Sequence, residues 1–312
     1  MVDANPSFRR VVILGGGGVM GHGIALSCLQ WSDAEVVIVS RRAETVEHGL
    51  KAVEAGPFGL RKAVERGKLD EAAMAGALER LSGTTDYAAA LDGCDLIFET
   101  IPEESALKQD ILAQAETLAP SGVTMATNTS SIMISELSAK LQDPSRLVGT
   151  HWFFPANVMP LVEVARSEAT DPARLERVIA YLSQLRKKPV VVKDSPGFFM
   201  TRFINNYLAE AIRLVELGIA GPAEVDEMVK TGLGWPMGVF ELLDDSSFDA
   251  FYHAQKYLNE NLGDRYAVPA LATELMDAGY LGDPKLKPGS KGGWYDYLGA
   301  ERAPKPQKAP KK

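Results

Sequence analysis

At 312 residues, 46% hydrophobic and 24% charged, the chain has ordinary globular composition and length enough for about two domains. A net charge of −8 argues against a nucleic-acid partner held by phosphate contacts, and no uninterrupted apolar stretch has membrane-crossing length, so neither nucleic acid nor a membrane is expected. The two cysteines, Cys28 and Cys94, lie far apart without metal-ligand spacing, so no disulfide framework or metal site is expected and a reducing, cytoplasmic setting is.

Arg9-Arg10 and the apolar stretch after it imitate a secretory signal peptide, but the four-glycine run weakens that reading. The better one is a strand, Val11–Leu14, running into Gly16-Gly17-Gly18-Val19-Met20-Gly21 and a helix through Ile24–Leu29. Gly16 permits the tight turn, Gly18 lets a pyrophosphate approach the backbone, and Gly21 allows close packing of helix on strand. His22 reads as a helix-start residue, and Gly15 as a fourth glycine that loosens the turn. A second strand, Glu35–Val39, completes a βαβ dinucleotide unit. Where an acidic residue would bind the ribose 2′-hydroxyl stand Ser40-Arg41-Arg42, a set suited to a 2′-phosphate. The cofactor is therefore expected to be NAD or NADP, leaning to NADP; alternatively the arginines cover the sheet edge.

Residues 44–82 read as two charged helices punctuated by Gly56-Pro57. Most of their charges form a solvated face, while Lys62, Arg66 and Lys68 are candidates for holding an acidic substrate handle. A strand is expected at Asp95–Glu99, a helix at Ser105–Leu118 and a strand at Val123–Thr127. Thr127-Asn128-Thr129-Ser130-Ser131 then sits at a strand carboxyl end, the edge where ligands bind in open α/β sheets. Ser131 is the expected N-cap of a helix Ile132–Leu141, leaving Ser130 to face the site.

The aromatic, β-branched run Val148–Phe154 carries His151, Pro155–Pro160 breaks it, and Leu161–Ala165 returns antiparallel with Glu163 placed to meet His151. A carboxylate on an imidazole fixes its tautomer and favours the imidazolium, which suits proton transfer; a lone pair of this kind is also compatible with a satisfied core histidine. A strand Pro189–Lys193 ends at Asp194, taken as the domain boundary. Ser195 as N-cap and Pro196 at the first helical position would open a long helix with the stripe Met200, Ile204, Tyr207, Leu208, Ala211, Ile212 and Val215, stopped at Gly218. Helices at Ala223–Lys230 and Ser247–Leu262 follow. The expected organisation is an α/β Rossmann-like NAD(P)-binding domain over 1–194, an all-helical domain over 195–300 with an apolar face left for a partner subunit, and a Pro/Lys/Ala-rich disordered tail over 301–312.

Taken together, Gly16–Gly21, Asp95–Glu99, Thr127–Ser131, His151 to Glu163, Asp194-Ser-Pro-Gly-Phe198, Gly234–Asp244 and Lys291–Tyr297 resemble the L-3-hydroxyacyl-CoA dehydrogenase family over roughly residues 8–298. The resemblance implies interconversion of 3-hydroxyacyl-CoA and 3-ketoacyl-CoA with a nicotinamide cofactor, a place in fatty-acid metabolism and a homodimer formed through the helical domain. It implies His151 as catalytic base, Glu163 as its orienting carboxylate, Ser130 as the serine on the substrate's 3-oxygen, and Glu103 and Lys108 near the cofactor unless solvated.

Two positions depart from the family. Phe154 stands where the family has Asn three residues after its histidine, and Thr201 where it has Asn before the Arg of the long helix. Either the Thr201 hydroxyl does the missing work, or the enzyme accepts a bulkier, more apolar acyl group, or activity is lost. The alternatives to an acyl-CoA enzyme are a dehydrogenase of a non-CoA hydroxy acid on the same fold and a catalytically weakened dinucleotide-binding paralogue.

Overall fold

The computed structural model describes residues 7–245, 248–284, 287 and 289–302. Strand β1, Arg10–Leu14, is buried along its Val-Val-Ile-Leu run, as an interior parallel strand covered on both faces must be. Helix α1, Val19–Trp31, returns the chain to β2, Glu35–Val39, parallel to β1.

Where two helices are expected there are three, α2 at Ala43–Ala55, α3 at Leu60–Glu65 and α4 at Glu71–Glu79, followed by an unexpected strand β3, Leu81–Thr84. Gly56 ends the first and Gly67, at φ +66°, lies just past the second. The sequence of β3, Leu-Ser-Gly-Thr, has no apolar run; pairing with β2 makes it a strand, and Gly83 fits where a Cβ would lie 2.5 Å from Val46.

Beyond it come α5, Tyr87–Leu91; β4, Leu96–Glu99; α6, Ser105–Leu118; β5, Thr124–Thr127; α7, Ile134–Leu137; β6, Leu147–Trp152; β7, Leu161–Arg166; α8, Pro172–Gln184; and β8, Lys188–Lys193. The sheet runs β3-β2-β1-β4-β5-β6-β7-β8, with every pair parallel except β6 and β7. Chain order reverses between β1 and β4, and the carboxyl ends of those strands open the crevice where doubly wound sheets bind ligands. Helix α8, an amphipathic element the sequence reading passes over, covers one face of the sheet with Leu175, Val178, Tyr181 and Leu182. Cys28 and Cys94 are free and buried, and burial pushes both thiols up to about 12.

Two expected helix starts are displaced for one reason. The helix expected at Ile132–Leu141 is α7 followed by a 3-10 turn at Ser138–Lys140, and its cap is not Ser131. Asp194, sixty residues on, accepts from the Ile134 and Ser135 N–H groups at 2.7 and 2.9 Å. That reach holds residues 194–199 in turns: Gly197 (φ +71°) and Phe198 (φ +45°) cannot continue a right-handed helix, and the Gly197 N–H donates to the Ser131 carbonyl at 2.8 Å. The long helix therefore begins at Met200, not Pro196, and Ser195 is not its N-cap.

The chain divides into two compact units, 1–198 and 199–312. The second contains α9, Met200–Glu216; α10, Pro222–Leu233; α11, Val239–Asp245; α12, Phe248–Leu262; α13, Ala270–Ala278; and α14, Trp294–Leu298. Its core gathers Leu208, Ile212, Phe240, Phe248, Leu275 and Trp294. Ser247 and most of the expected tail, 303–312, lie outside the described residues. Among the described residues no helix is long and apolar enough to cross a membrane.

Replacing Asp194 by Ala should cost about 1–2 kcal/mol, the usual loss for a helix N-cap. The check is the urea midpoint of unfolding, with D194N, which keeps one acceptor, falling between.

Candidate active site

The antiparallel register of β6 and β7 sets His151 directly across from Glu163. The imidazole Nδ1 lies 2.8 Å from Glu163 Oε2, with both residues buried. With Nδ1–H donating to the carboxylate, Nε2 carries the lone pair and is the basic nitrogen. Phe153 and Phe198 pack on the ring with centroids 4.4 and 6.3 Å away, limiting its rotation. At the neighbouring strand end, Asn128 Oδ1 accepts the Trp152 N–H at 3.0 Å, so the loop after β5 is tied to the residue following His151.

Beneath that loop lies a buried charge cluster. Lys108 Nζ, with no exposed side-chain surface, donates to Glu99 Oε1 and Oε2 at 2.8 and 3.1 Å and to the carbonyls of Ile101 and Asn128 at 3.2 Å, and lies 3.5 Å from Glu103 Oε2. Glu99 also accepts from the Thr127 hydroxyl and the Ile101 N–H. Glu103 Oε1 accepts from the Thr129 hydroxyl and from the Ser130 and Ser131 N–H groups at 2.7–2.9 Å. Neither Glu103 nor Lys108 is a merely solvated side chain. The first shapes the Thr129–Ser131 loop and the second sits under it, while Ser130 is half-buried at the loop's crest. Desolvation favours the neutral form of Glu103, whose side chain is still about a third exposed, but Lys108, the Thr129 hydroxyl and the two N–H donors outweigh it and hold the carboxyl below its ordinary range. For Lys108, desolvation opposes the charge and the two carboxylates overcome it, raising its pKa.

The glycine turn has the closeness a dinucleotide requires. A Cβ on Gly16 would lie 1.7 Å from Ile38 Cγ2, and one on Gly21 would lie 2.6 Å from both the Gly15 carbonyl and Gly16 Cα. Gly18 is the N-cap of α1 and no side-chain capping hydrogen bond is made there. Gly15 does not loosen the turn as expected: at φ +81° it needs to be glycine, and its N–H donates to the Val39 carbonyl at 2.8 Å. A cleft of about 430 Å³ opens here, lined by Gly18, Ser40, Arg41, Arg42, Tyr87 and Ile101 among others. A glycine cradle, an uncapped helix N-terminus and this volume together fit a nicotinamide dinucleotide. Ser40 is buried with its Oγ 3.4 Å from the Gly17 N–H, so it braces the turn, while Arg41 and Arg42 stand exposed at the rim. His48, unremarked in the sequence, places Nδ1 3.2 Å from the Gly17 carbonyl, and burial together with His48 lowers the pKa of His22.

The three basic candidates separate. Lys62 is paired with Glu65 at 2.6 Å, whereas Arg66 and Lys68 line a cleft of about 500 Å³. Thr201 is buried in the first turn of α9, in the second unit. A larger cleft, about 850 Å³ along β8, contains none of these residues. Among the described residues no three His, Cys, Asp or Glu side chains cluster as a metal site.

Residues 10–195 match the model of the 3-hydroxyacyl-CoA dehydrogenase NAD binding domain, and residues 197–297 that of the 3-hydroxyacyl-CoA dehydrogenase C-terminal domain. Among solved structures, the (S)-3-hydroxybutyryl-CoA dehydrogenase PaaH1 of Ralstonia eutropha is 35% identical, over 89% of this chain and 97% of its own, with a TM-score of 0.83. FadB2 of M. tuberculosis is 32% identical over 88% of this chain and 96% of its own, TM-score 0.83. A 3-hydroxybutyryl-CoA dehydrogenase of Escherichia coli is 31% identical over 96% of this chain and 61% of its own, TM-score 0.84.

Two measurements probe the charge cluster. Lys108→Met leaves Glu99 buried and unpaired and should cost about 3–5 kcal/mol in chemical denaturation, with the double variant E99Q/K108M recovering much of it. Glu103 is ionised in the folded chain at pH values where the unfolded chain has begun to take up protons. Its stabilisation is full above the ordinary carboxyl value of about 4.3 and is lost as pH falls through the lower folded-state value. The stability gap between the natural chain and E103Q should therefore close on acidification.

Proposed function

The chain belongs to the 3-hydroxyacyl-CoA dehydrogenase family, and from that premise we propose that it interconverts a 3-hydroxyacyl-CoA and the corresponding 3-ketoacyl-CoA with His151 as general base and acid. The observation that carries this reading is the buried cross-strand pair of His151 and Glu163 at 2.8 Å. Gly16, Gly18 and Gly21 would hold the nicotinamide dinucleotide, which when bound would supply or accept the hydride. In the oxidative direction His151 Nε2 takes the proton of the 3-hydroxyl, and Glu163 stabilises the imidazolium that results. In reduction the imidazolium returns that proton to the 3-oxygen. The Ser130 hydroxyl binds the same oxygen, on a loop that Glu103 and Lys108 stiffen.

For the finer assignments, Arg41 and Arg42 at the cleft rim, with no carboxylate ending β2, favour a 2′-phosphate and hence NADP. Arg66 and Lys68 are the cations left for the CoA phosphates, Lys62 being engaged by Glu65. Phe154, more than half exposed and edge-on to Phe58 at 6.0 Å between centroids, adds an apolar rim where the family has an amide, which suits an acyl group larger or more apolar than acetoacetyl. The exposed Phe199, Phe203, Met228 and Leu233 of the second unit give a homodimer an apolar surface to bury. Thr201 takes the place of the family's asparagine as a hydroxyl donor.

The test is reduction of acetoacetyl-CoA followed spectrophotometrically with NADPH and NADH in parallel. H151A should lower kcat by about 10²–10⁴-fold, and E163Q by less, without loss of dinucleotide binding. Preference for NADH would remove the assignment of Arg41 and Arg42. Turnover of a free 3-hydroxy acid but of no thioester would replace the CoA reading with that of a non-CoA dehydrogenase.

A further inference from the structure

Among the described residues only two other than glycine adopt positive φ, Phe198 and Arg186, the latter at +58°. Arg186 closes helix α8: its N–H donates to the Ser183 carbonyl at 3.0 Å and the Lys187 N–H to the Leu182 carbonyl at 2.9 Å. That is a left-handed helix end, where glycine sits without strain and an arginine does not. A bulky side chain at such a position points to a role for the side chain itself.

The guanidinium lies over the indole of Trp31, 3.6 Å from the ring centroid, which holds it against the ring face. None of its N–H groups is engaged by protein among the described residues, so a preset fork of donors is free to bind. It shares the cleft of about 500 Å³ with Arg66 and Lys68, and no Asp or Glu lines that cleft. Arg66 and Lys68 flank Gly67 (φ +66°) in the turn after α3, and neither is paired with a carboxylate among the described residues. Asn157 donates to the Phe58 carbonyl at 3.2 Å, joining the two sides of the cleft. Three unneutralised cations facing one cavity repel each other unless an anion joins them.

We infer that Arg186 is a further substrate-binding residue, which with Arg66 and Lys68 holds a phosphate-bearing group, the 3′-phospho-ADP end of an acyl-CoA. The identity of the ligand rests on the acyl-CoA reading above; the anion site does not. Arg186 supplies planar two-point donation to phosphate oxygens, while Lys68 acts as a point charge.

The test uses R186G, which places at +58° the residue that conformation favours and so retains the fold. With acetoacetyl-CoA its KM should rise about tenfold or more, the loss of a charge-assisted bidentate contact, at near-unchanged kcat. With acetoacetyl-pantetheine, the same thioester without phosphates, KM should not change. An unchanged KM for acetoacetyl-CoA, or an equal rise for both thioesters, overturns the proposal. Calorimetric titration with adenosine 3′,5′-bisphosphate at saturating NAD⁺ separates the site from the reaction. Binding that R186G weakens supports the site even if neither thioester is turned over, and absence of binding to the natural chain removes it.

Discussion

The fixed point of the first unit is a lysine ammonium wholly enclosed by protein. Lys108 can remain charged there only because Glu99, Glu103 and the carbonyls of Ile101 and Asn128 surround it, the first three from the segment that joins β4 to α6 and the last from the loop after β5. Glu99 ends β4, Glu103 precedes α6, and the Asn128 carbonyl leaves β5. Satisfying one buried charge thus sets the relative positions of a strand end, a helix start and the loop that carries Ser130. A movement of any of the three would strip partners from an ion in a low-dielectric surrounding, which makes the arrangement stiff.

That stiffness is transmitted to the dyad by a short path. Asn128 lends its carbonyl to Lys108 and its side-chain oxygen to the Trp152 N–H, one residue from His151. The dyad itself depends on the sheet departing from its parallel habit. Only an antiparallel neighbour can return within a short loop and place a residue twelve positions later opposite the imidazole, and β6 with β7 is the one such pair in this sheet.

How far the residues disclosed this follows from the range of the forces involved. Continuous apolar runs make β1, β2 and β4 plain, and the strand, proline-bounded turn and second strand around residues 148–165 suffice to anticipate that His151 and Glu163 meet. The edge strand β3 is hidden because Leu-Ser-Gly-Thr carries no hydrophobic period and becomes a strand through a neighbour's hydrogen bonds. The true cap of α7 is hidden because Asp194 lies sixty residues away, whereas Ser131 looks suitable locally. Lys108 looks like any solvated helix lysine; the one local hint was a glutamate ending the otherwise apolar Leu-Ile-Phe run of β4. Arg186 gives no sign at all, since only the closing geometry of α8 assigns it a positive φ.

The two cysteines have a practical bearing. Thiols enclosed in the core and titrating near pH 12 present almost no thiolate at neutral pH, and their sulfur atoms are out of reach of reagents in solution. The folded chain is in effect free of reactive sulfur. A cysteine introduced on its surface would be a single chemical handle for a fluorophore or spin label, and slow labelling of the unaltered chain would report opening of the core itself.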